Sequence, residues 1–250
     1  MKVFFAICLA LYIGFCAAQT PTPAACPAAG ITQISTCYAA YFKNLNFTST
    51  PPFLTYVQVM DKFLIQGVSA FKTICTWSTT RQTCIGTYDP ACATAAAFQQ
   101  ALGTQTKEEA YEYLSAYGTN NWECGPGYSD VVANYYCLEN IGMNHRSDIL
   151  TCLSAYNATV QQNGFSCSAL ATYTTCYTNV YTKYCGKIGG YIGCNLLKAG
   201  ALEDVPYCAG QLPTCSKNFE AHKLFGMRHK LAAKRLAQKN HNKGDASKIH

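Results

Sequence analysis

Sixteen of the 250 residues are cysteine, and what they do decides most of the chemistry open to this chain. A cysteine can act as a thiolate nucleophile, hold a soft metal or be consumed in a disulfide. No two stand at the C-x2-C separation of structural zinc sites, so no metal or cofactor is expected. The N-terminus points to an oxidising compartment. Lys2 precedes an apolar run over residues 3–15, and Cys16 and Ala18 are small residues at the −3 and −1 positions of a leader cleaved before Gln19. The run is too short for a membrane anchor. Loss of residues 1–18 removes Cys8 and Cys16. It leaves Cys26, Cys37, Cys75, Cys84, Cys92, Cys124, Cys137, Cys152, Cys167, Cys176, Cys185, Cys194, Cys208 and Cys215. An even number in an exported chain predicts seven disulfides, with connectivity unreadable from sequence. Asn46-Phe47-Thr48 and Asn157-Ala158-Thr159 are candidate N-glycan acceptors in that compartment.

Acid–base groups are sparse. His145 is the single histidine of residues 19–215, three residues before Asp148. A His beside an Asp can be half of a nucleophilic triad; an inter-helix loop residue is the plainer reading. Glu108, Glu109 and Glu112 offer paired carboxylates of the kind glycosidases use, but they fall in the first turns of a helix, where the dipole favours acids. Glu203-Asp204 is expected in a loop. Gly67-Val68-Ser69-Ala70-Phe71 lacks the second glycine of a nucleophile elbow. Tyr173, Tyr177 and Tyr184 could line a ligand cavity, although a tyrosine seam at helical spacing usually packs as core with its hydroxyls at the rim.

The strongest asymmetry is charge. Residues 19–215 carry nine Lys/Arg against eleven Asp/Glu, whereas residues 216–250 carry nine against two. Lys223, Arg228, Lys230, Lys234, Arg235 and Lys239, with Leu224, Met227 and Leu231 between them, make this tail a basic amphipathic segment. Such a segment suits an anionic polysaccharide or membrane surface; no nucleic acid is expected. The dibasic pair Lys234-Arg235 could also release a C-terminal peptide.

The elements that position these groups read as helices. Residues 19–30 (QTPTPAACPAAG) form an extended lead-in. Ile34, Cys37, Tyr38, Tyr41 and Leu45 then recur at three- and four-residue spacing, as do Phe53, Val57, Met60 and Leu64. Asp89-Pro90 opens a helix that Gly103 closes. Thr106 and Glu109 form a capping box, and Gly118 supplies a C-terminal stop. Ser168 opens a helix that ends at Gly186, and residues 186–195 (GKIGGYIGCN) read as a glycine-rich loop. Nine residues of helix advance about 13.5 Å, so Cys167, Cys176 and Cys185 on one helix cannot bridge one another. That helix should be central, stapled to other segments. A faint echo links Thr36-Cys37-Tyr38-Ala39-Ala40-Tyr41 with Thr151-Cys152-Leu153-Ser154-Ala155-Tyr156, and Cys75-x8-Cys84 with Cys167-x8-Cys176, a sign of weak internal duplication.

The order Phe71-x3-Cys75-x8-Cys84-x7-Cys92, Cys137, Cys152, Cys167-x8-Cys176, Cys185-Gly186, Cys208 and Cys215 resembles the secreted cysteine-rich helical domains of unknown function expanded in nematodes. The resemblance implies secretion, a disulfide-rich fold and no known activity; it carries over no functional residue. The chain departs from that pattern in its low charge and its basic tail. The sequence thus predicts an all-α, disulfide-rich domain of about seven to nine helices over residues 31–215, with a basic tail over 216–250. The expected role is that of a secreted, non-enzymatic binding or structural module for an unidentified protein partner. The alternatives are a carrier of a lipid or small apolar ligand, and a precursor of a basic peptide.

Overall fold

Helix signals dominate the chain, and the structure, a computed structural model, follows them. It describes residues 25–217. The leader expected over residues 1–18 and the tail candidates Lys223, Arg228, Lys230, Lys234, Arg235 and Lys239 lie outside the described residues. Within them the chain is all-helical, with no strand. In order come α1 (Ala28–Lys43), α2 (Phe53–Leu64), α3 (Val68–Ile85), a 3-10 turn (Gly86–Tyr88), α4 (Asp89–Cys92), α5 (Ala95–Leu102), α6 (Lys107–Glu123), α7 (Tyr128–Asn144), α8 (Arg146–Asn163), α9 (Cys167–Asp204) and a second 3-10 turn (Pro206–Gln211). None of the helices among the described residues is long and apolar enough to cross a membrane.

Local chemistry sets several boundaries as expected. The Thr106 hydroxyl accepts from the Glu109 amide at the start of α6, and Gly103 closes α5 in the left-handed conformation (φ 64°, ψ 33°). Other boundaries differ. Of the lead-in expected over residues 19–30, residues 19–24 lie outside the described residues, and from Ala28 the chain is already the helix α1. The segment expected as one helix from Asp89 to Gly103 is two: Thr94 caps α5 by accepting from the Ala97 amide, and the Asp89 carboxylate accepts from the Tyr117 hydroxyl instead of capping. Ser166, not Ser168, caps α9.

The largest correction concerns glycine. Residues 186–195 are not a loop but part of α9, which is interrupted only at Gly186 (φ 68°, ψ −167°). Thirty-eight residues of straight helix would span about 57 Å. Yet the Cα atoms of Cys167 and Cys208, which flank α9, lie 5.2 Å apart. The chain therefore doubles back at Gly186 into a helical hairpin. The glycines let its two arms touch: a Cβ at Gly193 would lie 2.6 Å from the Tyr181 ring, and one at Gly189 2.8 Å from the Tyr181 carbonyl oxygen. Low helix propensity is overridden by close packing. Gly118 repeats the lesson. It does not stop α6 but lies in mid-helix, where a Cβ would come 2.5 Å from the Ala199 carbonyl oxygen. Glu203 and Asp204, expected in a loop, close the last turn of α9.

The disulfides tie these helices in two groups. Cys26–Cys92, Cys37–Cys84 and Cys75–Cys124 join the first half, whereas Cys137–Cys185, Cys152–Cys176, Cys167–Cys208 and Cys194–Cys215 join the second. Cys167, Cys176 and Cys185 each reach a different segment, as helix geometry requires. No bridge crosses residues 125–136. Numbered in chain order, the six cysteines from Cys26 to Cys124 pair first with fifth, second with fourth and third with sixth. The six obtained from Cys137 to Cys208 when Cys194 is left out pair in that same order.

Candidate functional site

The residues singled out for acid–base chemistry are engaged in structural contacts. His145 stands at the junction of α7 and α8 and lies flat on Tyr184, ring centroids 3.6 Å apart and planes 9° from parallel. Asp148 takes the Lys183 ammonium at 2.9 Å and the Tyr184 hydroxyl at 2.8 Å. Those two hydrogen bonds, Lys183 first, hold its carboxyl below the usual range. This half-exposed cluster clamps α8 to the first arm of α9. Glu109 closes a different junction: one carboxylate oxygen accepts from the Phe53 amide at the start of α2 (2.8 Å), the other from the Gln105 amide (3.3 Å). Glu112, its neighbour one turn on, is pushed up to about 7 by burial and by Glu109.

The tyrosine stripe divides. Tyr173 and Tyr177 are core, Tyr173 stacked on Tyr156 and Tyr177 on Tyr181, while Tyr184 belongs to the His145 cluster. The tyrosine hydroxyls do not all sit at the rim. Tyr177 donates to the Tyr181 hydroxyl (2.8 Å), Tyr135 to the Leu64 carbonyl (2.6 Å) and Tyr113 to the Pro51 carbonyl (2.6 Å). In each case burial of a polar tip is offset by a hydrogen bond.

The two sequons differ in setting. Asn46 is exposed in the turn after α1, and it is the described non-glycine residue with positive φ (63°). Asn157 is half-buried in the middle of α8, and the hydroxyl of its sequon threonine, Thr159, donates to the Ala155 carbonyl. Among the described residues no group of three or more His, Cys, Asp or Glu could hold a metal ion.

One interior site carried no sequence signal strong enough to find it. Arg81, on α3, is 2 % exposed. Its guanidinium carbon lies 4.7, 4.5 and 5.0 Å from the ring centroids of Tyr38, Tyr41 and Tyr117, within cation–π range. Tyr41 and Tyr56 share a hydroxyl–hydroxyl hydrogen bond at 3.0 Å behind it. Among the described residues no carboxylate lies within ion-pair distance of Arg81. Its Nε and Nη2 are buried without a hydrogen-bond partner, as are the Tyr38 hydroxyl, the Ser78 Oγ and both polar atoms of the Asn120 side chain. Ser78 precedes Arg81 by one turn of α3. The Cys75–Cys124 bridge and the Arg81–Tyr117 contact run α3 antiparallel to α6, which sets Asn120 level with Ser78. An isolated arginine in a helix reads as surface, so only tertiary structure shows it as the cation of a tyrosine box.

Comparison of the chain with family models, curated proteins and solved structures returned no match.

Proposed function

We propose that the chain is a secreted, disulfide-stapled helical module that acts by binding rather than by catalysis. The observation carrying this reading is how its reactive groups are used. All fourteen cysteines from Cys26 onward are paired, His145 is stacked, and Asp148 and Glu109 serve as helix clamps. Seven bridges suit an oxidising, extracellular setting, and the leader over residues 1–18 supplies the route. Asn46, exposed in its turn, is the acceptor to be glycosylated, ahead of half-buried Asn157. The basic tail from residue 216 supplies attraction to anionic polysaccharide or membrane, each Lys/Arg near an anionic membrane adding about 1 kcal/mol before screening, while the helical domain presents the surface for a protein partner.

Expression of the full chain in a secreting eukaryotic cell tests this. The medium should yield a protein beginning at Gln19, without free thiols, with glycan on Asn46. It should be retained on heparin or anionic vesicles in a salt-sensitive manner, and lose that retention when residues 216–250 are deleted. Cytosolic accumulation with alkylatable thiols would overturn the secretory reading. Unchanged retention after deletion would overturn the tail's role.

A further inference from the structure

A buried guanidinium needs partners for its N–H groups, because an unpaired charge in a protein interior is among the costliest things a fold can contain. Three tyrosine rings surround the Arg81 guanidinium, yet its buried Nε and Nη2 donors have no hydrogen-bond partner. The surrounding phenols supply no counter-charge, since burial pushes those of Tyr38, Tyr56 and Tyr117 well up and leaves them neutral. Asp89 is held on the hydroxyl of Tyr117. What remains around Arg81 is a set of buried polar atoms without partners: the Nε and Nη2 donors themselves, the Tyr38 and Ser78 hydroxyls, and the Nδ2 and Oδ1 atoms of Asn120.

The second half of the chain shows that this helical plan does not require a cation here. Arg81 stands six residues after Cys75 and packs on Tyr41, four after Cys37. Tyr173 stands six after Cys167 and packs on Tyr156, four after Cys152. The equivalent of Ser78 is Leu170, buried and apolar. The same framework is thus closed once with an aromatic stack and once with an unpaired cation and unpartnered polar atoms.

We propose that Arg81, together with Tyr38, Ser78 and Asn120, forms a binding site for one small monovalent anion. Its ligand is either a free halide or the carboxylate head of an apolar organic acid; both offer one negative charge to in-plane guanidinium donors and to neutral hydroxyl and amide donors.

Crystals of the disulfide-intact protein soaked in bromide should show an anomalous peak beside Arg81 Nε and Nη2. In solution the melting temperature should climb with halide concentration at constant ionic strength. Both signals should vanish in Arg81→Met. Tyr38→Phe, which keeps the ring and removes one donor, should fold and weaken halide binding roughly tenfold, so the test survives if Arg81→Met fails to fold. An organic acid held by the purified chain would appear as added mass in native mass spectrometry, lost in the same variants, and would identify the carboxylate source. Ordered water in place of bromide, together with a melting temperature indifferent to halide and no added mass, overturns the site.

A second inference rests on the disulfides alone. We infer that residues 26–124 and 137–208 are two copies of one six-cysteine helical module. Six cysteines can pair in about fifteen ways, and both halves use the same one, with Cys75-x8-Cys84 matched by Cys167-x8-Cys176. Non-reducing peptide mapping of the secreted protein should return that pairing order in both halves. A different order in either half, or any bridge between them, overturns it.

Discussion

Glu123 shows how a single side chain can set a condition for the whole fold. It lies near the end of α6, 7 % exposed, and burial pushes its carboxyl up to about 8. Burial likewise raises Glu203 to about 7, helped by Asp89, and Asp204 to about 6 against the pull of Lys107. A free glutamate titrates near about 4.3, so between roughly pH 4.5 and 8 the folded chain holds protons that the unfolded chain has lost. Stability contributed by these groups is complete below the unfolded value and is lost as pH rises through the folded one. Denaturant unfolding of the disulfide-intact protein should therefore show lower stability at pH 8.5 than at pH 5.5, by something of the order of 3 kcal/mol. Glu123→Gln, which needs no proton to stay neutral, should flatten the upper part of that curve. A stability that is flat or rises across this interval would show that Glu123 is ionised in the fold and paired or solvated.

At the scale of elements, glycine is used in two ways that the sequence does not separate. Gly103 ends α5 in the left-handed region that Asn also tolerates, whereas Gly186 holds φ 68° with ψ −167°, a combination reserved for glycine. Gly103→Asn should cost less than about 1 kcal/mol. Gly186→Ala should cost about 1–3 kcal/mol, although nothing lies within 4 Å of the added methyl. Gly118→Ala should cost a similar amount for the opposite reason: the backbone there is ordinary helix, but the methyl would force α6 away from α9. Urea midpoints of the three variants test these costs, and equal effects at Gly103 and Gly186 would remove the hairpin argument. This is also where reading from sequence stops. Caps are local, so Thr106 with Glu109 and Gly103 announce themselves. Helix periodicity is local, and the core residues Ile34, Tyr38, Tyr41, Phe53 and Met60 follow from it. Gly118, Gly189 and Gly193 are defined by a helix distant in sequence or folded back from a hairpin, and a propensity argument turns them into stops and loops. Arg81 was hidden for the same reason, since its box draws on α1, α3 and α6 at once.

For the whole molecule, the consequential feature is what the disulfides leave unjoined. Three bridges close residues 26–124 and four close residues 137–215. The halves are connected covalently only by the peptide chain from Cys124 to Cys137. Elsewhere they meet through packing, mainly α6 against the second arm of α9, where Ser115 and Thr119 approach Gly200, and Gly118 approaches Ala199. Each bridge typically contributes about 2–4 kcal/mol by restricting the unfolded chain, against a net domain stability of about 5–15 kcal/mol, so complete reduction should abolish the cooperative melt at physiological temperature. The bridges stabilise each half, but they do not hold the halves together. A protease site inserted between Gly125 and Pro126, both exposed in the turn between α6 and α7, separates the two contributions. After cleavage the protein should still elute as one species in native buffer, because the α6–α9 contact remains. In denaturant without reductant it should part into two fragments, each with its own bridges intact. Fragments that stay linked in denaturant would place a disulfide across the halves. Fragments that part in native buffer would show that the continuous chain, rather than the glycine-lined seam, keeps the halves in register.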